Sequence, residues 1–337
     1  MKPSWEDLVA RSRGLATHLL TPARLASLAA ATDLDALAQG LRESGLDVGD
    51  GPAAPEQLER AVRRAAARQF RVLERWSGPR VEPLALIFED EDRRSLRAIL
   101  RGAVQGVGAE QRLAGLVPTP ALPERVLLEL ARQPTVNAVA ALLSAWRNPY
   151  GPALRTETSS PHPDLLRIEA ALTRAFAERA LRSARRRGSR TLAAQVRQVV
   201  DLENALTAVM LAGPDRSVTP RDLFLPSGDR VTIDVFERAV AAGDYAGAAE
   251  QLARAFEGTP FAAALREAGT EPADLERALL EARIVSLRAR ARIEPLDVAA
   301  VLLWALGLRA QVMDLCRVIW GVALGAPPAL RLARGAA

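Results

Sequence analysis

The chain has 337 residues, of which 49% are hydrophobic, 25% charged and 4% aromatic. This composition can bury substantial cores and excludes a disordered chain, and the length suits two or three domains. Alanine, leucine and arginine dominate and alternating β-branched runs are nearly absent, so we predict an all-α fold. The net charge of +5 is carried by arginine, because Lys2 is the only lysine. A phosphate-binding P-loop, which needs a lysine, is therefore excluded.

The cysteine content and the apolar segments indicate a cytosolic setting. Cys316 is the only cysteine, so no disulfide can form within the chain. The first residues, MKPSWEDL, lack the apolar run of a signal peptide. Charged residues separate the two longest apolar stretches, Val298–Leu308 and Val318–Leu330, so we expect no membrane-spanning helix. We expect a soluble chain that can sit on a membrane complex.

Taken in chain order, the first 45 residues carry leucines at helical spacing, which predict two or three helices. A loop, Asp47–Pro55, follows. An amphipathic helix over Leu58–Leu73 comes next, with Glu59 and the neighbouring arginines directed outward. After a break at a Ser-Gly-Pro sequence, a further helix is predicted over Leu84–Gly102.

Four landmarks recur in one order, roughly 110 residues apart. The amphipathic helix returns with Glu59, Glu169 and Glu276 in register. The helix that follows it carries a short polar segment, here called the polar corner, which reads DRRSL, DLENA and QVMDL in the three copies. A Leu-Pro start is present in two copies, and so is an aromatic segment, which reads NPYGPAL and TPFAAAL. The sequence therefore predicts a threefold internal repeat.

The repeat predicts three helical units, at residues 1–113, 114–222 and 223–337. The period is far longer than that of a solenoid, so each unit is expected to be a small helical bundle. Three similar bundles favour an arrangement around a pseudo-threefold axis.

The polar corner supplies the candidate site residues Asp92, Asp201, Asn204 and Asp314. A carboxylate pair for acid–base chemistry would have to converge, whereas these side chains are spread over three units. Equivalent positions favour one structural task performed three times: capping or bridging within each unit, or lining a polar central opening. The alternative is an all-α enzyme with an aspartate-lined metal site around Asp201.

A run of arginines is the one strong charge cluster in the sequence. It contains Arg182, Arg185, Arg186, Arg187 and Arg190. The run is either a solvated helix end or an electrostatic contact with an anionic surface. It also motivates the main functional alternative, an arginine-rich helical nucleic-acid-binding scaffold, although no stacking aromatic residue is interleaved with it.

Residues for catalysis or for holding a cofactor are scarce. His18 and His162 are the only histidines, and neither stands at metal-ligand spacing. A Ser–His–Asp site would have to use His162 with Ser159 or Ser160, and no nucleophile elbow is present. We predict no catalytic residue, no cofactor and no metal.

In the order and period of its motifs, the chain resembles the C subunit of V/A-type rotary ATPases, called subunit d in eukaryotic V-ATPases. The motifs are LERAV, IEAAL and LERAL, then NPYGPAL and TPFAAAL, then DRRSLR, DLENAL and QVMDLCR. Ser95 and Asp314 stand where the family has Asn, Gln311 where it has an acid and Ala205 where it has Leu. The first unit also lacks its aromatic segment. The chain thus resembles a divergent member over its whole length.

The resemblance implies a funnel-shaped, non-catalytic subunit of the central stalk. Such a subunit sits on the cytoplasmic face of the proteolipid (c/K) ring, peripheral to the inner membrane. It receives the shaft subunits, of D and F type, and couples ATP hydrolysis or synthesis to ion translocation. Asp92, Asp201, Asn204 and Asp314 would then face the shaft, and no nucleic acid would be bound.

Overall fold

The computed structural model describes residues 5–78, 81–160, 163–186, 189–212, 219–267 and 272–332. Within these residues all regular secondary structure is helical, which confirms the all-α prediction. The helices are α1 (Glu6–Ala16), α2 (Pro22–Ala29), α3 (Leu34–Glu43), α4 (Pro55–Ser77), α5 (Val81–Val104), α6 (Ala109–Arg112), α7 (Glu124–Ala131), α8 (Val136–Ala145), α9 (Gly151–Thr158), α10 (Leu165–Arg186), α11 (Arg190–Leu211), α12 (Pro220–Leu223), α13 (Ile233–Val240), α14 (Tyr245–Ala255), α15 (Pro260–Glu267), α16 (Pro272–Ile293), α17 (Ala299–Ala323) and α18 (Pro328–Arg331).

Local sequence explains where many of these helices begin. The side chains of Thr21, Asp33 and Thr135 each accept the backbone N–H three residues further on, and Thr232 and Asp244 do the same for later helices. An oxygen at this position satisfies an N–H that has no partner within the helix. These helix starts therefore follow from capping residues in the local sequence.

Six long helices, α4, α5, α10, α11, α16 and α17, form a closed cycle of contacts. Consecutive long helices pair as α4–α5, α10–α11 and α16–α17, and these pairs touch through α5–α10, α11–α16 and α17–α4. Neighbours run antiparallel: Glu89 on α5 binds Arg179 on α10, whereas Arg101 binds Glu169. The C-terminal ends of α4, α10 and α16 and the N-terminal ends of α5, α11 and α17 thus lie at one end of the ring, the hairpin end.

The short helices lie toward the opposite end, which we call the short-helix end. Each set packs on the long helix that precedes it: α7 and α8 on α5, and α13 and α14 on α11. The first short helices, α2 and α3, pack on the last long helix, α17. Arg331 strengthens this closure, because its Nη1 donates to the carbonyls of Ala29 (3.0 Å) and Ala31 (2.6 Å). The two ends of the chain thus meet in one packed assembly.

Three corners follow α5, α11 and α17, and two of them have the same arginine contact. Gly102 leaves room for Arg112, and Gly321 leaves room for Arg331. A Cβ on these glycines would lie 2.5 Å and 2.8 Å from the Cγ of the respective arginine. Like Arg331, Arg112 donates to the carbonyls that end a short helix, here those of Ala131 and Gln133.

The corner after α11 differs. Counted from the polar corner of each helix, Leu211 in α11 corresponds to Gly102 in α5 and to Gly321 in α17. Arg221, at the position of the two buried arginines, is 70% exposed in its side chain and pairs with Glu237 at 3.0 Å. A leucine at this position occupies the space that the arginine stem uses elsewhere, so Arg221 stays at the surface.

One prediction about the helices was wrong. Glu59 is 3% exposed rather than outward, because it accepts from the backbone N–H of Gly115 (2.5 Å) and from Nε1 of Trp320 (2.7 Å). Near the C-terminus, residues Ala299–Ala323 form the single helix α17, which joins most of the first apolar stretch to the start of the second. Its charged residues Arg309 and Asp314 are paired inside the fold, which allows the helix to continue.

Helix α17 is long and apolar enough to cross a membrane by length and composition alone. Its most apolar window is 67% buried inside the fold, as in the central helix of a packed core. Aromatic residues of neighbouring helices meet it there: the rings of Phe70 and Trp304 lie 5.9 Å apart, and Phe70 meets Phe88 at 5.5 Å.

Candidate functional site

The interior of the ring is lined by a charged stripe on α5. Asp90, Arg93, Arg97 and Arg101 follow one another at steps of three or four residues, and Arg94 stands next to Arg93, so the five share one face of the helix. Aliphatic residues on the other side of the helix are buried and pack in the hydrophobic core. Helix α5 is therefore buried on two faces, one apolar and one charged.

Arg93 is at the centre of this stripe and is fully buried. Its Nη2 lies 2.9 Å from Glu203 on α11 and 3.0 Å from Asp90. Nη1 donates to the hydroxyl of Thr173 on α10 at 3.2 Å, and the guanidinium lies 5.6 Å from the ring centre of Phe176. One arginine thus joins three long helices.

Two glutamates continue the network toward the short-helix end. Glu203 also accepts from Arg97, and Glu169 binds Arg101 through both oxygens, at 2.5 Å and 2.8 Å. Arg97 lies 3.3 Å from Glu169 as well. Each carboxylate therefore has two guanidinium partners, which offsets the cost of burying it.

The network reaches α16 and α17 through a second group of pairs. Arg94 lies 2.9 Å from Glu276 on α16, and Arg309 on α17 binds Glu91 at 3.2 Å. Arg283 on α16 approaches Asp90 at 3.5 Å. Charged contacts across the ring interior therefore connect α5 with α10, α11, α16 and α17.

The pKa shifts in this network favour the charged forms of its acids. Burial would raise the pKa of Asp90, but the guanidinium groups of Arg94, Arg93 and Arg283 outweigh it and lower that pKa below its usual range. Burial acts in the same way on Glu203, and the neighbouring arginines again lower its pKa. Burial lowers the pKa of Arg283 to about 10, so this group remains charged near neutrality.

Cavities in the ring interior differ between its two ends. Toward the hairpin end the space is only about 40 Å³, and Phe70, Phe176 and Leu302 are among its lining residues. Toward the short-helix end a cavity of about 360 Å³ is bounded by Arg101, Glu169 and other members of the charged network, together with apolar side chains. Both cavities have charged residues of the network in their linings, and the cavity at the short-helix end is much the larger of the two.

The structure places the polar-corner residues of α11 against the loop that leads to α13. Asp201 accepts the backbone N–H groups of Asp229, Arg230 and Val231, at 3.1, 3.0 and 3.0 Å. Asn204, fully buried, binds both the N–H and the carbonyl of Leu225 at 3.0 Å and 2.9 Å. These two side chains satisfy backbone groups that have no helical partner.

The other two corner residues are buried with different partners. Asp92 accepts from the hydroxyl of Thr119, and burial raises the pKa of Asp92 to about 8. Asp314 lies 2.9 Å from Nη1 of Arg277 on α16. All four polar-corner residues are at most 5% exposed and have partners within the chain. The structure does not bring the four into one cluster, and their contact with a shaft stays a prediction.

The arginine run lies at the hairpin end. Arg182, Arg185, Arg186 and Arg190 are exposed there, at the end of α10 and the start of α11. Arg187 and His162 lie outside the described residues. Among the residues that the structure describes, no group of His, Cys, Asp or Glu is placed to hold a metal ion.

Sequence reasoning missed the charged interior. The signal was the spacing of charges on α5, together with Glu169 and Glu276, which were used only as landmarks of the repeat. Such a stripe looks like a solvated helix face until the opposite charges that cover it are known. Those partners lie 106 residues away for Arg97–Glu203 and 182 for Arg94–Glu276.

The six long helices thus form an all-helical ring with a charged interior. A family model, ATP synthase (C/AC39) subunit, matches residues 8–331. The chain therefore belongs to this family, and the resemblance drawn from its motifs is confirmed. It is a subunit of the V/A-type rotary ATPase class. No curated protein matches the chain in a sequence comparison.

Proposed function

We propose that this chain is a non-catalytic central-stalk subunit that forms a socket between the rotor shaft and the membrane proteolipid ring. It couples ATP hydrolysis or synthesis to ion translocation by transmitting torque, and takes no part in the chemistry. Family membership supports the setting. The opening of about 360 Å³ at the short-helix end carries the socket hypothesis, because it offers an incoming element both signs of charge and an apolar wall.

In this proposal the three pairs of long helices are the cores of three related units around a pseudo-threefold axis. Their boundaries lie near residues 113 and 222. The closed cycle of six helices and the matching contacts of Arg112 and Arg331 support this arrangement. Asp92, Asp201, Asn204 and Asp314 then act on the shaft mainly by holding the loops and helices around the opening.

The charged interior suits a part that transmits torque. Ion pairs that tie five long helices together resist relative sliding, because each displacement would separate buried opposite charges. Close packing of the surrounding aliphatic residues adds stiffness. A socket built this way can hold a shaft by shape and charge without a covalent link.

The test is to block the opening. Thr207 and Met210 line it and are half-buried, so Thr207→Trp with Met210→Trp should fill it. Leu128→Trp is the matched control, because Leu128 lines a separate cavity of about 180 Å³ between α4 and α7. Tagged chains are purified with their complex from native membranes.

We expect the double variant to lose the D- and F-type shaft subunits, and to lose ion transport while ATP hydrolysis continues. The Leu128 control should keep both. Full retention of the shaft by a folded double variant would reject the socket at this opening. Failure of the wild-type chain to copurify with proteolipid and shaft subunits would reject the central-stalk role.

A further inference from the structure

The ends of the three pairs of long helices meet at the hairpin end and form one surface. The hydroxyl of Thr191, at the start of α11, donates to Asp297 in the α16–α17 turn. Arg13 donates to the carbonyl of Pro295 in the same turn at 2.9 Å. The guanidinium of Arg11 lies 4.5 Å from the ring centre of Trp76, near the end of α4. These contacts hold the ends of all three pairs of long helices side by side.

This surface is strongly basic. Exposed arginines come from four long helices, and none of them has an ion-pair partner among the residues that the structure describes. They are Arg75, Arg182, Arg185, Arg186, Arg190, Arg288 and Arg292. The two carboxylates of the α16–α17 turn are already engaged, since Glu294 lies 3.5 Å from Arg290 and Asp297 accepts from Thr191. The end therefore presents free positive charge, whereas many arginines elsewhere are paired.

Two aliphatic side chains project from the same surface. Ile293, the last residue of α16, is 80% exposed, and Leu296 in the α16–α17 turn is 55% exposed. Exposed aliphatic groups surrounded by arginines are typical of surfaces that enter the boundary between lipid headgroups and acyl chains. Single exposed apolar residues are common, and these two differ from them by their position among unpaired arginines.

We propose that the hairpin end is a membrane-contact surface that binds anionic phospholipid headgroups, with Ile293 and Leu296 entering the headgroup layer. The arginines attract the headgroup phosphates, and the aliphatic pair adds an apolar contact. Nucleic acid would use the arginines but would leave the aliphatic pair exposed. Trp76, near the end of α4, has one face covered by the guanidinium of Arg11, so that face is not available for stacking bases.

This contact goes beyond the coupling role, because it needs neither the shaft nor the proteolipid ring. It is therefore tested on the purified full-length chain alone. Sedimentation with vesicles of phosphatidylcholine plus phosphatidylglycerol is compared with vesicles of phosphatidylcholine only, over a range of salt. We expect binding to the anionic vesicles only, and weaker binding as salt rises.

The decisive variant reverses three charges, Arg182→Glu, Arg185→Glu and Arg186→Glu. Each arginine near an anionic surface contributes about fivefold, so losing three should lower the partition coefficient by more than about 100-fold, and the added negative charges should lower it further. The matched control makes the same charge change on the exposed short-helix residues Arg125, Arg132 and Arg155. It should bind vesicles like the wild type, which separates this surface from overall net charge.

A second variant, Ile293→Ser with Leu296→Ser, tests the apolar part. It should weaken vesicle binding while leaving binding to heparin unchanged, since heparin offers only charge. Equal vesicle binding by the triple variant and the wild type would overturn the proposal. So would tighter binding to a DNA duplex than to anionic vesicles at the same salt. Circular dichroism of each variant confirms that it is folded.

Discussion

The corners that follow α5 and α17 are held together differently from the corner that follows α11. At the first two, a buried arginine seated over a glycine donates to the carbonyls at the end of a short helix. At the third, the arginine is exposed, and Asp201 and Asn204 reach out from the long helix to hold the next loop. In both cases side chains bind backbone groups that have no helical partner. An arginine donates to carbonyls at the first two corners, whereas side-chain oxygens chiefly accept from N–H groups at the third.

The side chains at the corresponding positions of the three corners differ as well. Asn204 stands in the corner that has no buried arginine. Ser95 and Asp314 stand at the corresponding positions in the two corners where Arg112 or Arg331 caps a short helix. Once one anchor holds the corner, the side chain at the other position can vary with little cost.

The largest effect is expected from removing a buried arginine. Arg331→Ala should lower the free energy of unfolding by about 3 to 4 kcal/mol, because the carbonyls of Ala29, Ala31 and Ala326 lose their donor. Arg221→Ala should change it by less than about 0.5 kcal/mol, since its pair is exposed. Urea unfolding measures both. Similar losses for the two variants would contradict the comparison.

The next effect concerns Asn204, whose side-chain amide holds the corner after α11, where no buried arginine is present. Asn204→Ala should cost about 2 to 3 kcal/mol, because the N–H and carbonyl of Leu225 are left buried without partners. At the corresponding position Ser95 is buried and its hydroxyl has no hydrogen-bond partner in the described structure. Ser95→Ala should therefore be neutral or slightly stabilising in thermal unfolding. A loss at Ser95 as large as that at Asn204 would show that both corners depend on this position.

A smaller effect is expected from closing the space under the arginine. Gly102→Ala places a Cβ 2.5 Å from Cγ of Arg112, so we expect a loss of about 1 to 2 kcal/mol. Gly14 in α1 is the control, because a Cβ there meets nothing within 4 Å. Gly14→Ala should stabilise by about 0.5 to 1 kcal/mol through helix propensity. If the two variants shifted the unfolding temperature in the same direction, steric crowding at Gly102 would be excluded.

The last effect is a pH dependence that separates Asp92 from Asp201. Both have raised pKa values through burial, but Asp201 has three backbone N–H donors and Asp92 has one hydroxyl. The folded chain therefore keeps a proton on Asp92 that the unfolded chain releases. The stability this proton gives is complete below about pH 4 and is lost as pH rises through about 8.

Asp92→Asn should remove that slope and retain an acceptor for Thr119. The variant should gain about 1.4 kcal/mol over the wild type for each unit of pH between about pH 5 and pH 7, measured by urea unfolding at each pH. Parallel pH profiles for the variant and the wild type would show that Asp92 is ionised in the folded chain across this range.

The sequence by itself determined the helices and the family. Capping residues such as Thr21 and Asp244 mark helix starts through contacts three residues away, which short-range patterns capture. The roughly 110-residue spacing of the motifs carried the resemblance that the family match confirms. Both kinds of information are local or periodic, so they can be read without knowing the fold.

Only the tertiary structure decided which charged residues are inside. Glu59 and Arg93 follow the same helical spacing as solvent-facing residues, yet they are buried. Their partners Trp320 and Glu203 come from other long helices far along the chain. Whether a charged stripe faces water or opposite charges depends on which helix lies over it, and hydrophobic periodicity carries no information about that choice.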